Sequence, residues 1–303
     1  MITEMLASPL MQRALIAAVL VGLAAPVVGT YLVQRGLALM GDGIGHVSLT
    51  GVALGWLVGA WLGVSPADAL AVPGAIVASL AGALLIELIR QAGHTRGDVA
   101  LGILFYGGIA GGVILIKFAG GTTTNLNSYL FGSIATVSEN DVRTTAVLAL
   151  LILAVGIGLR GPLFALCHDE EFARACGLPV GVLNILVAVV SALTVSVSMR
   201  VVGVLLVSAV MIVPVAIAQL VSHSFGRTMN LAMVLGVCAC LAGLFITYAV
   251  AVSPGAMIVC LLVATYALTA VLTWGAKRVF KRKDLEDERL VDGRLPEVEA
   301  SRG

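Results

Sequence analysis

Leu231-Ala232-Met233-Val234-Leu235-Gly236-Val237-Cys238-Ala239-Cys240-Leu241-Ala242-Gly243-Leu244-Phe245-Ile246-Thr247-Tyr248-Ala249-Val250 carries no charge from end to end. Coiled as a helix at about 1.5 Å per residue, a run of this length spans about 30 Å, the thickness of a bilayer's hydrocarbon core. A spanning strand would be about half as long and would alternate polar with apolar residues. Here every face is apolar, so the stretch reads as a transmembrane helix.

Outward from it the same pattern recurs. Apolar runs cover residues 10–33, 44–63, 67–89, 99–116, 145–159, 181–199, 201–221 and 255–274. This predicts an all-α membrane protein of eight or nine transmembrane helices. The count is least determined at the second run, which can be re-entrant, and at 125–135, which is too polar to span alone. Arg13 followed by the apolar run to Gly29 also has the form of a signal peptide, but the many similar runs behind it favour a first span. Composition agrees: 59% of the 303 residues are hydrophobic and 12% charged, against about 25% charged in an ordinary soluble domain. Mean hydropathy is +1.06.

Charge is concentrated at the C-terminus, where residues 277–303 hold eight basic and seven acidic side chains. This divides the chain into a transmembrane domain over 1–276 and a charged, solvated, partly disordered tail over 277–303. Lys277, Arg278, Lys281, Arg282 and Lys283 place that tail in the cytoplasm. Counting spans backwards puts the loop 160–180 and the residues Arg90 and Arg96 on the same side. A net charge of +1 and the lack of a basic stripe with interleaved aromatics give no basis for nucleic-acid binding. The five cysteines lack C-x-x-C spacing and read as reduced packing residues. Cys238 and Cys240 point about 200° apart on a helix, and neither they nor Cys167, His168 and Cys176 are expected to form a metal site. His94 and His223 fall in expected cytoplasmic turns.

Gly41-Asp42-Gly43-Ile44-Gly45-His46-Val47-Ser48-Leu49-Thr50 sets an ionisable pair at the start of an apolar segment. Asp42, His46 and Thr50 are four apart and share one helix face. A carboxylate and an imidazole one turn apart can hold one cation, and this pair suits zinc, manganese or iron better than calcium or magnesium. Ionisable groups at membrane depth ordinarily serve transport. On spacing alone, Asp42 as a surface N-cap and His46 as a packing residue remain open. Gly51, Gly55, Gly59 and Gly63 recur every fourth residue and predict a seam where another helix packs closely. Gly107, Gly108, Gly111 and Gly112 read the same way.

In the stretch 161–179, acidic Asp169, Glu170 and Glu171 begin a short helix through Ala173. Gly177 can close that helix in a left-handed conformation and Pro179 prevents its continuation. By charge pattern it is a connector lying along the cytoplasmic face. The chain has no G-x-x-x-x-G-K-[ST] phosphate loop, no H-E-x-x-H and no G-x-S-x-G, so any coupling to ATP must come from a separate subunit.

Arg35-Gly36-Leu37-Ala38-Leu39-Met40-Gly41-Asp42 leading to His46, with Gly51-Val52-Ala53-Leu54-Gly55, resembles the zinc, manganese and iron permeases of ABC importers, the ZnuB-like group. The stretch from Val202 to Ala216 looks like a second hallmark of that group, and the likeness covers most of 10–275. It implies a permease dimer on two cytoplasmic ATPase subunits, fed by an extracellular or periplasmic metal-binding protein, with Asp42 and His46 lining the metal path. It also implies that residues 169–177 dock into the ATPase, that the chain is not itself an enzyme and binds no cofactor, and that it sits in the plasma or inner membrane. The alternative from another class is a stand-alone secondary metal transporter or channel using the same polar stripe.

Overall fold

The computed structural model describes residues 8–64, 69–92, 97–120, 129–133, 137–199, 202–204, 206–250 and 252–292. They form α1 (Pro9–Gln34), α2 (Ala38–Trp61), α3 (Ala71–Ala92), α4 (Gly97–Phe118), α5 (Glu139–Gly158), α6 (Arg160–His168), α7 (Glu170–Ala175), α8 (Val180–Ser198), α9 (Val207–Val221), α10 (Phe225–Val250) and α11 (Pro254–Asp292). Eight of these helices are long and apolar enough to cross a bilayer, and α9 is a shorter apolar helix. The architecture is the all-helical membrane bundle that the apolar runs imply.

α1 is the axis of the bundle. Val21, Ala24, Ala25, Val27, Val28 and Leu32 are buried on several of its faces, which its small residues permit. A Cβ on Gly22 would strike the backbone of Val237, and one on Gly29 would strike the carbonyl of Met211. Bare backbone therefore meets α10 and α9 directly, the close approach that small residues give membrane helices. The phenol of Tyr31 donates to the carbonyl of Gly156 and ties α1 to α5. The hydroxyls of Ser79 and Ser196, 2.7 Å apart, tie α3 to α8.

Away from this core, Val147 (66% exposed), Leu150 (70%), Leu268 (62%) and Val271 (65%) stand on outer faces. Exposed leucines and valines along the apolar stretches of these helices are what a lipid solvent selects.

Three sequence expectations meet a different structure, and one point left open is decided. The segment 201–221 does not span as one helix, because Gly203 takes φ 90° and Val204 donates its N–H to the carbonyl of Tyr129 at 2.9 Å. That pairing holds 202–204 against the 129–132 segment, and α9 starts only at Val207. α2 is continuous rather than re-entrant. α5 starts at Glu139 rather than near 145, under a capping box in which the Ser138 hydroxyl accepts the Asp141 N–H at 3.1 Å. Finally, the charged tail is helical as far as Asp292, continuing α11, with the Arg278 guanidinium over the Trp274 ring at 3.6 Å. Residues 293–303, most of 125–135, His94 and Arg96 lie outside the described residues.

Candidate functional site

The elbow between α1 and α2 positions the site. Leu37 donates its N–H to the carbonyl of Leu32 at 2.8 Å and Gly36 donates to Val33 at 3.1 Å, with Gly36 at φ 67°. This pair of bonds is the Schellman closure, which needs a left-handed residue where glycine stands. α2 begins at Ala38, so Asp42 lies in its second turn and His46 at the start of its third.

Asp42 Oδ1 faces His46 Nε2 at 3.8 Å, with the His46 side chain 4% exposed and that of Asp42 30% exposed. Two metal–ligand bonds of about 2.1 Å each exceed this separation in sum, so one ion can touch both atoms. From α9, the hydroxyl of Ser208 donates to the same Asp42 Oδ1 at 3.1 Å. From α4, Phe105 packs edge-on against the imidazole with ring centroids 4.1 Å apart. The other imidazole nitrogen, His46 Nδ1, is buried without a hydrogen-bond partner among the described residues. Thr50, third on the stripe, donates to the Gly108 carbonyl at 2.7 Å, so its hydroxyl is engaged with α4.

Glycines bring neighbours onto α2 from two sides. A Cβ on Gly51 would meet the Gly74 carbonyl and one on Gly55 the Leu70 carbonyl, both from α3 or the turn before it. On the opposite side, Gly108 and Gly112 of α4 lie against the backbone at His46 and Thr50. Gly59 is buried. Gly63 departs from the expected seam: it takes φ 66° with no atom within 4 Å of a Cβ and closes the end of α2, where Val64 donates to Gly59. Gly107 likewise meets nothing.

A second polar cluster sits at the chain segment leading into α2. α7 is capped by Asp169, whose Oδ1 accepts the Phe172 N–H at 2.9 Å, and it ends at Gly177 with φ 79°. Ala173 is buried beneath it, while Phe172 is 61% exposed; Glu171 and Gly177 are also exposed. Glu170 lies 3.5 Å from Arg35 and 3.8 Å from Arg90. Arg90 also grips Glu87 through two bonds of 3.0 and 2.9 Å, and Gln91 donates to Glu87 at 2.8 Å. The Arg35 side chain is 6% exposed and that of Glu87 2%. Burial, with the Arg90 cation nearby, holds the Arg35 guanidinium below its usual range, against the opposing pull of Cys167, Glu170 and Glu87. Burial pushes the Cys167 thiol up to about 11.

The remaining candidates do not converge. No group of three or more His, Cys, Asp or Glu side chains able to hold a metal occurs among the described residues. Cys167 Sγ faces the Tyr31 carbonyl at 3.8 Å, Cys176 is exposed, and the His168 ring packs on Phe164 at 4.3 Å. His168 and His223 line a cleft of about 730 Å³ with Arg160. Sequence reasoning missed Ser208, Phe105 and the Arg35–Glu170–Arg90–Glu87 cluster. The charges of that cluster were visible, but their meeting depends on the ends of α1 and α3 lying beside the start of α7.

Comparison with known proteins bears on the family of the chain. Residues 7–273 match the model of the ABC 3 transport family. The chain is 33% identical over 284 residues to the manganese transport system membrane protein MntC of Halalkalibacterium halodurans, covering 91% of this chain and 94% of the relative. It is 32% identical over 283 residues to the chelated iron transport system membrane protein YfeD of Yersinia pestis, covering 93% and 92%. Among solved structures, PsaBC from Streptococcus pneumoniae in complex with Fab superposes with a TM-score of 0.77 at 33% identity, covering 89% of this chain and 95% of that one. The eight membrane-length helices among the described residues and these matches show that the chain is a multi-pass membrane protein belonging to the ABC 3 transport family.

Proposed function

We propose that the chain is the permease subunit of an ATP-driven importer and passes a divalent transition metal to the cytoplasm over Asp42 and His46. The observation that carries this is the 3.8 Å approach of Asp42 Oδ1 to His46 Nε2 on a buried, glycine-flanked helix. Manganese and iron are the cargoes in the names of the relatives. Asp plus His accepts these and zinc alike, since ligand type sets the class and not the member.

Two ligands suit a carrier better than a store. A His ligand is ordinarily oriented and made more basic by a hydrogen bond to its other nitrogen, and His46 Nδ1 has none among the described residues. Weak ligation of this kind allows release. A second copy of the chain, related by a two-fold axis, would add a second carboxylate and imidazole to complete four ligands for a moment of transfer. The supporting partners are two cytoplasmic ATPase subunits docked on α7 through the surface of Asp169, Glu170, Glu171, Ala173 and Gly177, and an extracellular or periplasmic metal-binding protein. The basic cluster from Lys277 to Lys283 puts the C-terminus on the ATPase side.

The test is uptake in vesicles reconstituted with these partners and a panel of Mn²⁺, Fe²⁺ and Zn²⁺. Asp42→Ala and His46→Ala should each abolish ATP-dependent accumulation while the complex still assembles. Normal accumulation in either variant would remove the assignment. Transport without ATP or partners would turn the reading to a stand-alone transporter.

A further inference from the structure

Among the described residues, Glu170 is the side chain of α7 that reaches back into the bundle, through ion pairs with Arg35 and Arg90, beside one with Arg174 of its own helix. One of its partners, Arg35, is no ordinary surface cation. It is 6% exposed, it is the last residue before the Gly36 elbow, and it stands seven residues ahead of Asp42. The elbow is stiff, since both of its closing hydrogen bonds are made and Gly36 holds the left-handed turn that they require. A displacement at Arg35 therefore passes into the first turn of α2 rather than being absorbed in a loop. The other partner, Arg90, is fixed to a buried carboxylate, Glu87, by two short bonds, so it serves as an anchor on α3. α7 itself is a six-residue helix, sealed at both ends by Asp169 and Gly177 and seated on Ala173. It moves as a unit.

Resting on the reading of α7 as the ATPase dock, we propose that Glu170 and Arg35 form the mechanical link between the ATPase and the metal site. Arg90 is the fixed point against which Glu170 shifts. When α7 moves, the Glu170–Arg35 pair pulls on the elbow and re-aims Asp42 relative to His46 and Ser208. Arg35 is a positioning residue: it touches neither the metal nor the ATPase.

The decisive quantity is Mn²⁺ imported per ATP hydrolysed, measured in vesicles with the full chain and its ATPase and metal-binding partners. Arg35→Gln should lower this ratio about tenfold, a coupling loss of ordinary size, while the ATPase still co-purifies. Arg35→Lys, which keeps the charge, should retain most of it. Glu170→Gln should lower the ratio likewise, and the double variant should be no worse than the more damaged single, as expected for two residues acting through one contact. A wild-type ratio in Arg35→Gln, or losses that add in the double variant, overturns the link. If Arg35→Gln does not assemble, Glu170→Gln decides: a lowered ratio with the ATPase retained supports the link, and either a wild-type ratio or loss of the ATPase overturns it. If the wild-type chain imports Mn²⁺ without ATP, the importer reading itself falls and the link with it; a coupled wild type beside a coupled Arg35→Gln removes the link alone.

Discussion

Ser208 on α9 donates its hydroxyl to Asp42 Oδ1 at 3.1 Å, across 166 residues of sequence. The oxygen that it holds is the one that faces His46. The carboxylate is thus turned toward the imidazole by a group from a different helix, and the pair is a three-helix construction once Phe105 of α4 is included.

From that contact we expect Ser208→Ala to weaken the apparent affinity for Mn²⁺ uptake about tenfold or more, the usual effect of removing a group that orients a ligand. Assembly should be unaffected, because the lost bond is partly exposed. Uptake kinetics at graded Mn²⁺ check this; an unchanged half-saturation would show that Asp42 needs no such support.

Gly55→Leu should be severe. Even the first carbon of a side chain there meets the carbonyl of Leu70 and the backbone of Ala71, and backbone cannot step aside as a rotamer can. Overpacking of this kind costs about 1–3 kcal/mol or more. Thermal unfolding in detergent should fall for Gly55→Leu but not for Gly107→Leu, where the space is open.

Arg90→Ala should leave Glu87, 2% exposed, with only Gln91 as a described partner. Removing one member of a buried ion pair costs about 3–5 kcal/mol. Adding Glu87→Gln to Arg90→Ala should recover part of that stability, because the stranded charge is gone. Denaturation of the single and double variants measures it.

The cysteines give a test with a pH axis. Burial raises the Cys167 thiol to about 11, so at pH 8 only about one molecule in a thousand carries the thiolate, the form that reacts with maleimide. Labelling of Cys167 should be slow at pH 8 and rise as pH climbs toward 11. Cys176, exposed beside α7, should label readily in the isolated chain and be protected when the ATPase is bound. Mass spectrometry of the labelled peptides separates the two.

Much of this molecule is written in local pattern. Charge-free runs as long as 231–250 mark the helices, and the four-residue interval from Asp42 to His46 marks one face of α2, because both properties repeat with the helix itself. Gly177 could be named as a terminator from its neighbours, and it does take φ 79°. Ser138 and Asp141 carried a start signal in the capping-box spacing, which would have moved the beginning of α5 back to Glu139. Other features have no local signature. The late start of α9 depends on the pairing of Val204 with Tyr129, and the place of Ser208 beside Asp42 depends on how α9 crosses α2. Gly63 looked like the fourth member of a seam by spacing, yet backbone geometry made it a cap.

The two glycine-lined borders of α2 have a further consequence. Where Gly51 and Gly55 of α2 meet α3, and where Gly108 of α4 meets α2, main chain lies on main chain, while Gly112 of α4 lies against the Leu49 side chain. At those points a shift of α2 would meet backbone rather than side chains that must change rotamer, and the restraints on it are the Thr50–Gly108 hydrogen bond and the Leu49 side chain against Gly112. Interlocked leucines on those borders would add a barrier to any change of register, and bare backbone adds none.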